Sequence, residues 1–114
     1  MKRDRDLLFL SDMVACVERV LEYSSGGREE FLKDPMRRDA IVRNLEVLGE
    51  AAKRVSPGVR DAHPHVPWRE IAGMRDKLIH DYGQVDAHRV WDVVEGKLPR
   101  LLSELRAILR SKGG

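Results

Sequence analysis

Leu7, Leu10, Met13, Val14, Val17, Val20 and Leu21 recur at spacings of three and four. That spacing is the apolar stripe of an amphipathic helix, predicted from about residue 5 to residue 24. Asp4 or Asp6 can cap its start, and Ser24-Ser25-Gly26-Gly27 ends it. A second stripe, Ile41, Leu45, Leu48, Ala52 and Val55, follows Asp34-Pro35. An acidic N-cap followed by proline opens a helix well, because the first helical position needs no N–H. Gly49, Ala51 and Ala52 keep one side of this helix thin, so a neighbouring helix can approach closely, and Pro57-Gly58 stops it. Residues 58–66 carry Pro64 and no periodicity, and they read as a loop. Pro67 starts a third helix bearing Trp68, Ile71, Met74 and Leu78 and ending at Tyr82-Gly83. The fourth begins near Asp86 and carries Val90, Val94, Leu98, Leu101, Leu105 and Ile108, with Pro99 predicted to kink it rather than divide it. No segment alternates as a strand would. The pattern predicts an all-α antiparallel four-helix bundle with short extra helical turns around residues 28–33 and 60–66.

A chain of 114 residues makes one domain, spanning 1–114. With 35% charged and 42% hydrophobic residues it falls among globular rather than disordered chains. Twenty-one Lys and Arg against 19 Asp and Glu leave a net charge of +2, too little for the whole molecule to be steered to nucleic acid or membrane. Fifteen of the 21 cations are arginine, which suits phosphate contacts but arises equally from a GC-rich genome. The single Cys16 excludes an intramolecular disulfide and a cysteine metal cluster; its place in an apolar stripe reads as a reduced core thiol. No apolar run is long enough to span a membrane, and the start of the chain lacks a signal-peptide core, so a cytoplasmic protein is expected.

One segment departs from the rule that polar residues face outward. Met74-Arg75-Asp76-Lys77-Leu78-Ile79-His80-Asp81-Tyr82 crowds six polar or ionisable side chains around a short apolar stripe at a helix end. A histidine titrating near neutrality can take a proton from a ribose 2′-hydroxyl or give one to a 5′-oxygen leaving group. A guanidinium can hold a phosphodiester bidentately and stabilise the charge that builds on it. Tyrosine adds a hydroxyl that can bind phosphate, stack on a base or accept a modifying group. On a regular helix, however, His80 lies about 140° round from Arg75 and about 7.5 Å along the axis. Arginine's long stem, unwinding before Gly83, or a second subunit must close that gap. The same residues at a helix end also occur as ordinary surface pairs.

The stretch Arg75, four residues, His80, one residue, Tyr82 resembles the R-x4-H-x-Y motif of HepT-like ribonuclease toxins, a branch of the HEPN superfamily. The resemblance covers nearly the whole chain. Residues 5–13 look like the family's first helix, residues 39–53 like its second, and residues 67–82 like its signature segment; Val90-Trp91 and Leu98-Pro99 match the last helix. The resemblance implies a helical homodimer with the Arg and His of each motif lining a cleft at the subunit interface. It implies a hydrolase-class endoribonuclease that cuts RNA without metal, the toxin of a type VII toxin-antitoxin pair. Its partner would be an MNT-type nucleotidyltransferase antitoxin that transfers AMP from ATP to the motif tyrosine, making it a phosphoprotein. Carried over, Arg75 and His80 are the catalytic pair and Tyr82 the AMP acceptor; no metal site or cofactor is expected. Relatives often follow the motif with an aromatic pair, whereas Gly83 follows Tyr82 here, which changes the local loop. The alternative is a non-catalytic module that binds nucleotides or serves as partner subunit of a nucleotidyltransferase.

Other residues can support such a site. Asp12 on the first helix could orient His80 or Arg75, or simply flank the apolar stripe. Arg43, Asn44, Glu46 and Glu50 could form a polar network near the cleft, or be ordinary helix-surface residues. Asp76 and Lys77 flank Arg75 and can tune it or touch RNA. His63 and His65 could bridge a metal, but no third ligand is evident. His88 reads as a surface residue, and Trp68 and Trp91 as core anchors rather than base-stacking platforms.

Overall fold

The first stripe becomes α1 (Lys2–Tyr23), whose Leu10, Met13, Val17 and Val20 are fully buried. In the computed structural model, residues 2–78 and 86–113 are described. α2 (Arg28–Lys33) is the short turn expected near residue 28, entered through Gly27 at φ 92°, a left-handed conformation that glycine adopts without strain. Its one buried residue, Phe31, meets Trp91 with ring centroids 5.4 Å apart. α3 (Pro35–Arg54) starts as the sequence indicates: the Asp34 carboxylate accepts from the Arg37 N–H at 3.1 Å. That backbone hydrogen bond holds the Asp34 carboxyl below the ordinary range. Ile41, Leu45 and Leu48 of α3 are fully buried, and α1 packs along both α3 and α8.

The remaining helices are α4 (Pro57–Ala62), α5 (Trp68–Ala72), α6 (Met74–Leu78), α7 (Ala87–Gly96) and α8 (Leu98–Gly113). The described residues are all-α, without strand, and none of their helices is long and apolar enough to cross a membrane. Four local expectations are corrected. Pro57 does not merely stop α3; it opens α4, so the short helical turn expected around residues 60–66 starts earlier, at Pro57, and ends at Ala62. Ser56 caps that helix by accepting from the Val59 N–H at 3.5 Å. The third predicted helix is divided at Gly73 into α5 and α6. The fourth is divided rather than kinked: Lys97 turns away as the C-cap of α7, and Pro99 falls in the first turn of α8, where an N–H is not required. Finally, Asp6 does not cap α1. It is buried inside that helix and accepts from the Ser56 N–H at 2.8 Å and the Ser56 hydroxyl at 2.7 Å, tying α1 to the α3–α4 junction.

The core reading of the sequence holds elsewhere. Cys16 is buried, and burial pushes its thiol pKa up. Trp68 and Trp91 are 8% and 7% exposed, and the Trp68 indole N–H donates to the His63 carbonyl at 2.9 Å. The thin side of α3 is used as expected. A Cβ added at Gly49 would stand 2.8 Å from the Ile71 carbonyl oxygen, so α5 presses its main chain onto that of α3.

Two stability outcomes follow. Gly49→Ala forces a methyl group against backbone that cannot swing aside, and should cost about 1–3 kcal/mol in urea unfolding; an unchanged midpoint would mean that α5 retreats freely. Asp6→Ala strips both acceptors from Ser56 and should cost about 2 kcal/mol. Asp6→Asn, whose amide can accept from the N–H and donate to the hydroxyl, should lose less; equal losses from the two variants would contradict the hydrogen-bonded role.

Candidate functional site

The break at Gly73 creates the site's local geometry. The Gly73 N–H donates to the Arg69 carbonyl at 3.0 Å, closing α5. The Gly73 carbonyl then accepts from the Asp76 and Lys77 N–H groups at 3.1 and 3.3 Å, opening α6. Within α6, Met74 and Leu78 stand four residues apart and are buried, which turns Arg75, Asp76 and Lys77 to the surface. The Arg75 side chain is 71% exposed.

Its carboxylate neighbour is Glu46 of α3, with Nε and Oε2 3.9 Å apart. The contact is an ion pair at its outer limit and too long for a hydrogen bond. An exposed pair of this kind is worth roughly 0–1 kcal/mol. Glu46 therefore biases the guanidinium towards α3 without locking it, and an anion with better geometry can displace the carboxylate. Arg75 remains available as a bidentate donor for a phosphate or carboxylate.

The other polar residues of α3 are directed elsewhere. Asn44 donates to the Ala40 carbonyl at 2.9 Å and accepts from Arg19 of α1 at 3.2 Å. Glu50 pairs with Lys53 at 3.3 Å, and Arg43 is exposed. Asp12 is exposed on α1, close enough to Cys16 to act on its thiol. Lys77 lines a hollow of about 300 Å³ floored by Ile71, Met74, Leu78 and Leu101, and Arg75 is not part of that lining. Of the candidates gathered from the sequence, the structure thus brings together Arg75 and Glu46. His80 and Tyr82 lie outside the described residues, as does the predicted helix end at Tyr82-Gly83. The described flanks of that segment are joined: the Asp86 N–H donates to the Leu78 carbonyl at 3.1 Å, and Asp86 then caps α7 by accepting from the Arg89 N–H at 3.2 Å.

The histidines seen are peripheral. His63 and His65 stack edge to face at 5.9 Å in the α4–α5 connection, and His88 is exposed on α7, 3.2 Å from an Arg28 nitrogen. Among the described residues, no three His, Cys, Asp or Glu side chains gather where they could hold a metal ion.

Comparison with known proteins bears on this surface. The family described as Ribonuclease HepT-like matches residues 13–108. A putative RNase of Caldanaerobacter subterraneus subsp. tengcongensis is 40% identical, the alignment covering 98% of this chain and 99% of that protein. A probable ribonuclease HepT of Thermococcus cleftensis is 39% identical over 82% of this chain and 86% of its own. A putative RNase of Methanocaldococcus jannaschii is 36% identical over 93% of this chain and 88% of its own. No solved structure gives a significant match. With the family match running from within α1 to within α8, and relatives aligned along nearly their whole length, the chain belongs to the HepT-like ribonuclease family.

Proposed function

We propose that the protein is a metal-independent endoribonuclease in which Arg75 holds the scissile phosphodiester and His80 moves the proton. The observation that carries this reading is Arg75 itself: an exposed guanidinium, loosely held by Glu46, on the segment that bears the R-x4-H-x-Y motif. The relatives named as ribonucleases support it. In the proposed reaction His80 takes the proton of a ribose 2′-hydroxyl, and the freed oxygen attacks the adjacent phosphorus. The bond to the 5′-oxygen breaks, leaving a 2′,3′-cyclic phosphate, and the 5′-oxygen takes up a proton from an imidazolium or water. Arg75 stabilises the charge that builds on the phosphoryl oxygens. The protein acts as a homodimer in the cytoplasm, so that a cleft receives Arg75 and His80 from two copies and the gap of one helix face is closed. As a toxin, it is silenced when a cognate nucleotidyltransferase antitoxin transfers AMP to the Tyr82 hydroxyl, which puts a bulky anion where RNA phosphate would sit. Asp76 and Lys77 flank Arg75 and are exposed on α6, which supports a role in tuning Arg75 or, for the Lys77 cation, in touching RNA.

Wild-type protein should cleave RNA in the presence of a chelator. Arg75→Ala should lower the rate by about 10²–10³-fold and His80→Ala by about 10²–10⁴-fold, each without loss of folding. RNA binding with no cleavage by the wild type would favour the nucleotide-binding subunit instead. Glu46→Gln should remain within about 0.5 kcal/mol of wild-type stability and bind RNA about two- to fourfold more tightly, because Arg75 loses its competing carboxylate; weaker binding would make Glu46 a required support. After co-expression with the nucleotidyltransferase, intact-mass measurement should show additions of whole AMP units on wild type and none on Tyr82→Phe. An unmodified wild type would remove the antitoxin step.

A further inference from the structure

The hollow beside α6 is space that the protein leaves unfilled. Its volume is about 300 Å³, and Ile71, Met74, Leu78, Leu98 and Leu101, each no more than 7% exposed, form its floor. Gly96, at the end of α7, supplies a wall without a side chain: a Cβ added there would meet nothing within 4 Å. Water in such a place faces mostly carbon and surrenders hydrogen bonds, so an apolar group that displaces it gains affinity. The rim is charged instead. Besides His65, it carries Lys97, which meets Glu70 at 3.3 Å, and Arg100, which meets Glu104 at 3.8 Å, so that two cations and two carboxylates answer one another. Lys77 is the fifth charge lining the hollow, and no ion pair among the described residues engages it. The rim therefore holds one cation in excess.

The geometry of α6 separates this place from the phosphate position. At about 100° per residue, Lys77 lies about 60° to one side of Met74 and Arg75 about 100° to the other. Arg75 accordingly turns to Glu46 of α3, whereas Lys77 turns to the hollow. We propose that the hollow binds a small aromatic or aliphatic monocarboxylate, its apolar body on the floor and its carboxylate at the Lys77 ammonium. Size and surroundings favour a small molecule over a protein. The exposed large hydrophobics among the described residues are Leu8 and Met36, on α1 and at the start of α3, and neither lines the hollow. A docked helix needs anchor pockets in line over several turns, and a stable protein interface needs roughly 800 Å² from each partner; here the apolar surface ends at a charged rim. The excess cation sets the sign of the ligand's charge. The Lys97–Glu70 pair, more than half exposed on both sides, is weak enough to move aside as the ligand enters.

The test titrates the full chain with naphthalene-2-carboxylate, followed by its heat of binding, at about pH 8, where an ordinary histidine is neutral. Naphthalene-2-carboxamide and 2-naphthylmethylammonium present the same rings without charge and with the opposite charge. The carboxylate should bind at a single site per chain, about three- to fivefold more tightly than the amide, the worth of one partly exposed ion pair, and the ammonium more weakly still. Lys77→Gln should bring the carboxylate down to the affinity of the amide and leave the amide unchanged. Val93→Phe, which extends a ring into the hollow from a partly exposed position, should abolish the binding of both. Lys77 is exposed, so Lys77→Gln decides the matter if Val93→Phe fails to fold. Arg75→Ala should bind the carboxylate as wild type does, because Arg75 does not line the hollow, and the result therefore stands apart from the ribonuclease reading. No binding to the folded wild type at millimolar probe, equal affinities for carboxylate and amide, or an unaltered preference in Lys77→Gln would each overturn the proposal. Preference for the ammonium would assign the hollow to the Glu70 and Glu104 carboxylates and overturn it equally. So would probe binding that fades as the protein is concentrated, together with a dimer that Val93→Phe breaks, because the hollow would then belong to a second copy.

Discussion

The contact on which the rest of the molecule depends is the approach of α5 to Gly49. A side chain there would meet the Ile71 carbonyl oxygen at 2.8 Å, so only glycine lets the two main chains lie this close. That proximity sets the height of α5 over α3 and, through the single residue Gly73, the start of α6. Arg75 reaches Glu46 because α6 begins where it does. A fold of short helices has little propensity-driven stability of its own. Five-residue elements such as α5 and α6 hold their shape because Trp68, Ile71, Met74 and Leu78 are buried against the larger helices.

A second constraint acts just past the C-terminal end of α3. Asp6 sits within α1 yet serves Ser56, the residue that caps α4. One carboxylate thus joins the first helix to the junction from which α4 departs. The Gly49 contact and the Asp6 latch act on α3 from two sides, and between them they hold the α4–α5 connection. The site surface is therefore placed by packing distant in sequence from Arg75, although its polar residues lie on short helices.

How much of this was legible in the sequence can be argued element by element. α1 and α3 were readable because their apolar stripes are long and their ends carry Gly26-Gly27 and Asp34-Pro35, residues with few other conformational uses. The thin face at Gly49 was readable because small residues clustered there. The role of Pro57 was misread because proline both stops one helix and starts the next, and Ser56 before it is the cap that decides between them. The divisions at Gly73 and Lys97 were hidden because the apolar stripe continues across each break, and periodicity reports a face rather than a chain direction. Asp6 was assigned to the nearest helix start because its partner is fifty residues away. Arg75 stood out through its motif, but Glu46 could be placed only in a general polar set on its helix, since the pairing depends on how α6 meets α3.

The net charge of +2 consequently misdescribes the surface. Cations and carboxylates pair across much of the molecule, as Arg37 does with Glu30 and Asp34, Lys97 with Glu70, Arg100 with Glu104, and Arg106 with Glu18. Each such pair cancels locally and contributes little field beyond about 8 Å at physiological salt. Arg75 differs in kind, with its partner carboxylate 3.9 Å away and easily displaced. It is carried by α6, whose placement follows from the seating of α5 at Gly49. A nearly neutral protein can in this way offer a phosphate one guanidinium that its own carboxylate does not hold tightly. The constraint that seats α5 on α3 is thereby also the constraint that decides where that guanidinium stands.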